Sequence, residues 1–175
     1  HPATVAHEGA RAEAPAAAAD RPGPRPPVAA ADGVRPAVSG PSFPLEGGCL
    51  CGALRYRIDG PVLSVDYCHC RMCQKGTGNP AVAWATGPFE GFHWTKGEPR
   101  GFRSSPIGRR WFCPDCGSPL AFEGFEPVGK TMGITLATLD DPTALRPRQH
   151  AWIGTRIPWH AIDETLPQYE DEGPA

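Results

Sequence analysis

The sequence predicts a mainly β domain with few short helices, preceded by a disordered N-terminal tail. Three observations carry this. From residue 44 onward, short apolar alternations recur between glycines and prolines, the period-two pattern of half-buried strands. Helical signals in the same stretch are sparse. All seven cysteines sit there too, in three tight clusters, as in small domains held together by metal.

The tail comes first. The chain has 175 residues, with 21 glycines and 22 prolines, a content near the range where disorder sets in. About half of residues 1–43 are alanine or proline, and no large aromatic precedes Phe43. The stretch Arg21-Pro22-Gly23-Pro24-Arg25-Pro26-Pro27 admits neither helix nor central strand. Ala16 to Ala19 supports one helical turn at most. The start at His1 rather than Met reads as processing or trimming, and no leader of basic then apolar residues is visible. A domain over 44–170 and a short C-terminal tail over 171–175 complete the organisation.

Within the domain the strands read in order. Leu54, Tyr56 and Ile58 alternate with Arg55 and Arg57, and Leu63, Val65 and Tyr67 with Ser64 and Asp66. Further strands are expected over 81–85, 89–94, 110–112, 119–122, 131–139 and 150–153. One or two helical turns fit residues 70–76. Asp141-Pro142-Thr143-Ala144-Leu145 offers an N-cap followed by proline at the first helical position. No internal repeat is present.

A net charge of -2 argues against a nucleic-acid binder held by phosphate contacts. No apolar run approaches the roughly 20 residues needed to cross a bilayer. Seven cysteines cannot all pair as disulfides. Reduced thiols on a metal fit better, and with them a cytoplasmic setting.

The clusters are Cys49-Leu50-Cys51, Cys68-His69-Cys70-Arg71-Met72-Cys73 and Cys113-Pro114-Asp115-Cys116-Gly117. Residues two apart in an extended segment point the same way, so each Cys-x-Cys pair can offer both sulfurs to one soft ion. Cys-x-x-Cys does so across a tight turn. In the third cluster proline presets that turn and glycine permits positive φ. Seven thiolates divide as four plus three: four close a tetrahedral zinc site, three leave a position open. Cys68, Cys70 and Cys73 are local in sequence and form the triad, leaving Cys49, Cys51, Cys113 and Cys116 for the closed site. Two alternatives stay open. Cys49 and Cys51 could share a metal with Cys68 and Cys70, leaving Cys113 and Cys116 as a redox pair. Or His69, His93, His150 or His160 could close the triad.

These clusters, in this order, resemble the glutathione-dependent formaldehyde-activating enzyme family, also called the Gfa or CENP-V-type family. The matching text runs from Gly47 to Tyr56, from Cys68 to Lys75 and from Arg110 to Leu120. It also includes Thr138-Leu139-Asp140-Asp141-Pro142 and Arg156-Ile157-Pro158-Trp159. The resemblance implies a zinc-bound β fold of the kind called Mss4-like, with two zinc ions per chain. It implies a structural zinc on Cys49, Cys51, Cys113 and Cys116 and a catalytic zinc on Cys68, Cys70 and Cys73. The implied activity joins formaldehyde to glutathione as S-hydroxymethylglutathione, or reverses that step as a carbon–sulfur lyase. Glutathione or another small thiol and a small aldehyde are then the partners, without nucleic acid or membrane.

Three thiolates give the zinc net negative charge, which weakens it as a Lewis acid, so delivery of a substrate thiolate is favoured over carbonyl polarisation. No second catalytic group stands out. Asp140 and Asp141 are acid or base candidates, with Asp141 better read as a turn cap. Trp84, Trp94, Trp152 and Trp159 suit either a pocket wall or the core. Arg55, Arg71, Arg109, Arg110 and Arg156 could meet substrate carboxylates. The loose Gly76-x-Gly78-x-x-Ala81 pattern is no dinucleotide loop, because a cysteine cluster precedes it and a strand follows. A thiol carrier without turnover and a purely structural zinc protein are the competing functions.

Overall fold

The computed structural model describes residues 41–127 and 129–174. The tail expected over 1–43 therefore lies outside the described residues, save its last three positions. Strands β1 (Leu45–Gly48), β2 (Arg55–Ile58) and β5 (Phe92–Lys96) form a three-stranded antiparallel sheet with β2 in the middle. The remaining strands are β3 (Ser64–Cys68), β4 (Val82–Pro88), β6 (Arg100–Ser105), β7 (Gly108–Phe112), β8 (Pro119–Gly124), β9 (Thr131–Thr135) and β10 (His150–Ala151). They form a second sheet in the order β10-β3-β4-β9-β8-β7-β6. Its strands run antiparallel except for β10, which lies parallel to β3. The one α-helix described, α1 (Arg71–Thr77), follows β3 directly. No helix among the described residues is long and apolar enough to cross a membrane.

The core lies between the sheets. Alternation in β2 turns Tyr56 and Ile58 inward. Tyr56 stacks on Phe92 at 5.5 Å and meets Trp94 edge-on at 6.2 Å. Its phenol hydrogen-bonds Thr138 Oγ1 at 2.8 Å, which satisfies the polar end of a buried ring. Gly47 crosses so close to that ring and to the Thr138 carbonyl that a Cβ would overlap both.

The seven-stranded sheet has two unlike faces. Val65, Ala85, Ala121, Met132 and Ile134 pack into the core. On the other face, cross-strand neighbours run in a row. Asp66 stands opposite Trp84, Thr86 opposite Gly133, Gly133 opposite Phe122, and Phe122 opposite Arg110. Period-two alternation places Ser64, Asp66 and Cys68 on this second face of β3. The second cysteine cluster sits at its margin.

Several elements depart from the sequence expectation. Leu63 is half exposed rather than inward-facing. Residues 89–91 form a 3-10 turn before β5, and residues 136–138 another after β9. Strands β1 and β6 carry too little apolar alternation to read from sequence. Asp141 opens no helical turn. Its carboxylate accepts from the Thr143 backbone N–H at 2.9 Å and hydroxyl at 2.6 Å, a local turn that satisfies the same groups. Residues 171–174 are bonded to the domain: Trp152 N–H donates to the Asp171 carbonyl at 2.9 Å, and Gln149 Nε2 to those of Glu172 and Pro174.

Candidate functional site

The seven thiols are unpaired and gather at two places. The first brings together Cys49, Cys51, Cys113 and Cys116, and the second Cys68, Cys70 and Cys73. Within each group the sulfurs lie within 4.8 Å of one another. The structure does not carry Cys49 and Cys51 to Cys68 and Cys70. No histidine nitrogen joins either group among the described residues.

Two short loops build the first group. After Cys51, Gly52 takes φ +73°, and after Cys116, Gly117 takes the same angle, both in open space. Glycine is needed there for the backbone angle alone. Each turn closes on its first cysteine: Gly52 N–H donates to the Cys49 carbonyl at 3.1 Å, and Gly117 N–H to that of Cys113 at 2.9 Å. Ser118 ties the loops together. Its hydroxyl accepts from Leu50 N–H at 3.1 Å and lies 3.2 Å from Cys116 Sγ. That hydroxyl and the Ser118 backbone N–H bring the Cys116 thiol down to about 5. Leu54 N–H points at Cys49 Sγ, 3.2 Å away. Thiolates at about 2.3 Å from one zinc stand about 3.8 Å apart. Here Cys49 and Cys51 are 3.5 Å apart, and Cys51 and Cys113 3.8 Å. The donor set and its spacing fit a tetrahedral metal ion. Cys113 is fully buried within the main core.

The second group forms where β3 runs into α1. Cys68 ends the strand, Cys70 is the helix N-cap, and Cys73 lies in the first turn. Cys73 N–H donates to Cys70 Sγ at 3.3 Å. Hydrogen bonds from Cys68 and Cys73 draw the Cys70 thiol down to about 2, while its neighbours push Cys68 up. Three thiols so close cannot all lose their protons without a cation among them, and the set fits a soft divalent ion with one position left over.

His69 faces away from the thiols and is wholly buried. Its Nε2 lies 2.9 Å from His150 Nδ1, and His150 Nε2 lies 3.1 Å from the Asp163 carbonyl. Burial, then the neighbouring His150, lowers the His69 pKa to about 4. Gln74 donates to the carbonyls of His69 at 2.7 Å and Thr155 at 3.1 Å. The stretch between Cys68 and Cys73 is thus fixed from behind.

In front of the triad lies a cavity of about 570 Å³, whose wall includes all three cysteines. Of the candidate tryptophans, Trp84 and Trp152 line it; Trp94 packs in the core, and Trp159 is exposed. Of the five arginines singled out, only Arg110 reaches the cavity. Its Nη2 donates to Cys73 Sγ at 3.5 Å, and its guanidinium lies over the Phe122 ring at 5.2 Å. Arg55 is committed to Asp140, with Nη1 2.9 Å from Oδ1. Asp140 is thereby engaged on the surface rather than at the cavity. His93 is exposed beside Asp59 at 3.4 Å. The Gly76-to-Gly78 stretch is the helix end, where Gly78 in the left-handed conformation caps the Gln74 carbonyl at 2.8 Å.

Sequence reasoning passed over Asp66 as an outward polar residue. It lines the cavity, and burial raises its carboxyl to about 6 against a weaker lowering by the Ser64 hydroxyl at 3.3 Å. Counting back two from Cys68 would have found it.

A family model described as glutathione-dependent formaldehyde-activating enzyme matches residues 44–155. A protein of Schizosaccharomyces pombe described as an uncharacterized lyase is 35% identical over 86 residues, 44% of this chain and 56% of that protein. The chain thus spans about half the length of that curated relative. A crystal structure of a Rhodobacter sphaeroides protein aligns with a TM-score of 0.47 at 21% identity, over 59% of this chain and 92% of that one.

Proposed function

The chain belongs to the glutathione-dependent formaldehyde-activating enzyme family, and from that premise we propose that it is a zinc-dependent carbon–sulfur lyase. Its substrates are adducts of glutathione, or another small thiol, with formaldehyde or a related carbonyl compound. The observation that carries this is the triad of Cys68, Cys70 and Cys73 on the wall of a cavity. The lyase description of the yeast relative supports the reaction class.

In this reading Cys49, Cys51, Cys113 and Cys116 hold a structural zinc that joins an early hairpin to a late one. Cys68, Cys70 and Cys73 hold a second. Held by these three thiols, a zinc ion would favour the thiolate form of a substrate thiol at neutral pH. The chain's own groups do the rest. The α1 N-terminus and the His69–Gln74 anchor hold the three sulfurs in one geometry. Arg110, beside Cys73, offsets part of the thiolate charge. The cavity keeps the carbonyl carbon beside the sulfur and limits water. In the synthetic direction a C–S bond forms, the thiol proton leaves, and the carbonyl π pair takes up a proton as hydroxyl. The lyase direction reverses each change. The proposed domain is residues 44–170, and the proposed setting cytoplasmic, since thiol ligands need a reducing compartment.

Zinc stoichiometry, with X-ray absorption at the zinc edge before and after adding glutathione, tests this. Two zincs per chain, with average sulfur coordination rising on glutathione, are expected. A single zinc, or coordination indifferent to thiol, would retire the open-site reading. Turnover of S-hydroxymethylglutathione then separates a lyase from a thiol carrier.

A further inference from the structure

The cavity in front of the triad is large and mostly apolar, a poor match for a one-carbon aldehyde and for the whole of glutathione. Its volume is about 570 Å³, where one water in the liquid claims about 30 Å³ and a hydroxymethyl group only slightly more. Leu63, Met72, Trp84, Ile107, Phe122 and Trp152 line it. Three of these leave much of their surface uncovered: Leu63 is 50% exposed, Met72 49% and Trp152 37%. Such apolar surface gathered around one concavity marks a ligand site.

The charges narrow the occupant. Among the described residues the only cation on the wall is Arg110, already turned to Cys73 Sγ. Asp66 and Glu172 line the wall as acids. Glutathione carries two carboxylates, so a cavity with one engaged cation and two acids gives those carboxylates little to pair with. The wall suits a carbon chain.

We propose that this cavity takes the carbon body of an apolar carbonyl compound of about four to eight carbons, an aliphatic or arylalkyl aldehyde. The aldehyde is presented to a thiol at the triad, whose polar remainder stays toward solvent. This rests on the lyase reading above and names its carbonyl substrate class. The step is the addition already written, with the aldehyde carbon bonding to sulfur and no net oxidation. The register of the sheet supplies the selectivity. Gly133 sits between Thr86 and Phe122 on the cavity face, and a Cβ there would come within 3.1 Å of Thr86 Oγ1 and 3.4 Å of the Trp84 ring. The missing side chain keeps the floor open.

Two measurements on the zinc-loaded full chain test this. The first needs no turnover: binding of unreactive hexanamide and acetamide, followed by tryptophan fluorescence from Trp84 and Trp152. Hexanamide should bind about fourfold tighter per added methylene, the factor set by about 0.8 kcal/mol for each buried CH₂. Met72→Gln, at a half-exposed position where misfolding is not expected, and Ile107→Asp should both shrink that preference. Equal binding of the two amides overturns the proposal. The second compares turnover of glutathione adducts of formaldehyde, butanal, hexanal and phenylacetaldehyde. A rise in kcat/KM with chain length supports the proposal. Turnover of the formaldehyde adduct with a flat or falling series overturns it and leaves the lyase reading standing. Chain-length-dependent amide binding without turnover of any adduct keeps the cavity assignment and retires the lyase reading.

Discussion

His69 Nε2 and His150 Nδ1 lie 2.9 Å apart across the join of β3 and β10. The Asp163 carbonyl can only accept, so with both rings neutral His150 carries its proton on Nε2. Its Nδ1 then accepts from His69 Nε2–H. His69 sits between Cys68 and Cys70, so this bond fixes the ring that turns both sulfurs to the opposite side. His150→Phe keeps the ring stacked on Tyr67 at 5.3 Å but strands the buried His69 donor. The expected loss is about 1–3 kcal/mol of unfolding free energy, read from urea titration. An unchanged midpoint would show that the pair contributes nothing to the anchor.

Arg110 lies on β7, four places from β3 in the sheet, yet reaches Cys73 at the helix that follows β3. A cationic donor on a ligand sulfur stabilises the thiolate and orients it. Phe122 lies beneath the guanidinium, a cation–π contact that favours this placement. Arg110→Met, similar in length and uncharged, should weaken retention of the second metal by roughly 10- to 100-fold, the usual range for partners of metal ligands. Competition against a chelator measures it. Full retention of two zincs at every chelator concentration would remove Arg110 from the site.

The two cysteine groups should respond differently to single substitutions. Cys113 is fully buried in the core, among Leu120, Ile134 and their neighbours. Cys70 is half-buried at the helix start, beside a smaller cluster of four buried residues. A structural zinc contributes folding free energy of order 10 kcal/mol. Cys113→Ser should therefore leave the chain largely unfolded at 25 °C by circular dichroism. Cys70→Ser should fold, melt cooperatively and bind one zinc instead of two. A folded Cys113→Ser protein, or two zincs in Cys70→Ser, would reverse the proposed roles.

Much of this was legible in the residues themselves. Thiols two positions apart on an extended backbone, or three apart across a tight turn, converge, so Cys49 with Cys51, Cys68 with Cys70, and Cys113 with Cys116 declare themselves locally. The strand at 55–58 shows through the burial of alternate residues. Strand β6 does not: Arg100-Gly101-Phe102-Arg103-Ser104-Ser105 has one large apolar residue, left 62% exposed at the sheet edge. An edge strand with no buried face leaves no period to read. The strand expected through residue 139 stops at Thr135, whose hydroxyl bonds the Pro119 and Leu120 carbonyls. That partner choice belongs to tertiary structure. Arg110 over Cys73 is non-local in the same way, because it depends on the register of five strands from β3 to β7. Only Asp66 was within reach and missed.

The Arg55–Asp140 pair gives a pH dependence whose sign is fixed. Arg55, by hydrogen bond and then by charge, holds the Asp140 carboxyl below the usual carboxylate range. An unfolded aspartate titrates near about 3.9. A folded pKa below that value adds stability that is fully present above the unfolded pKa. It is lost as pH falls through the folded one. Both side chains are well exposed, at 33% and 52%, so solvent screening limits the gain to under about 1 kcal/mol. Asp140→Asn should thus cost a few tenths of a kcal/mol at pH 7, a cost that shrinks as pH falls toward 2. The cost at pH 7 should shrink in molar salt. Urea titrations of both proteins across that range read the difference directly. A gap between wild type and variant that did not shrink toward pH 2 would mean that packing or hydrogen bonding, and not the charge, joins β2 to the Asp140 loop.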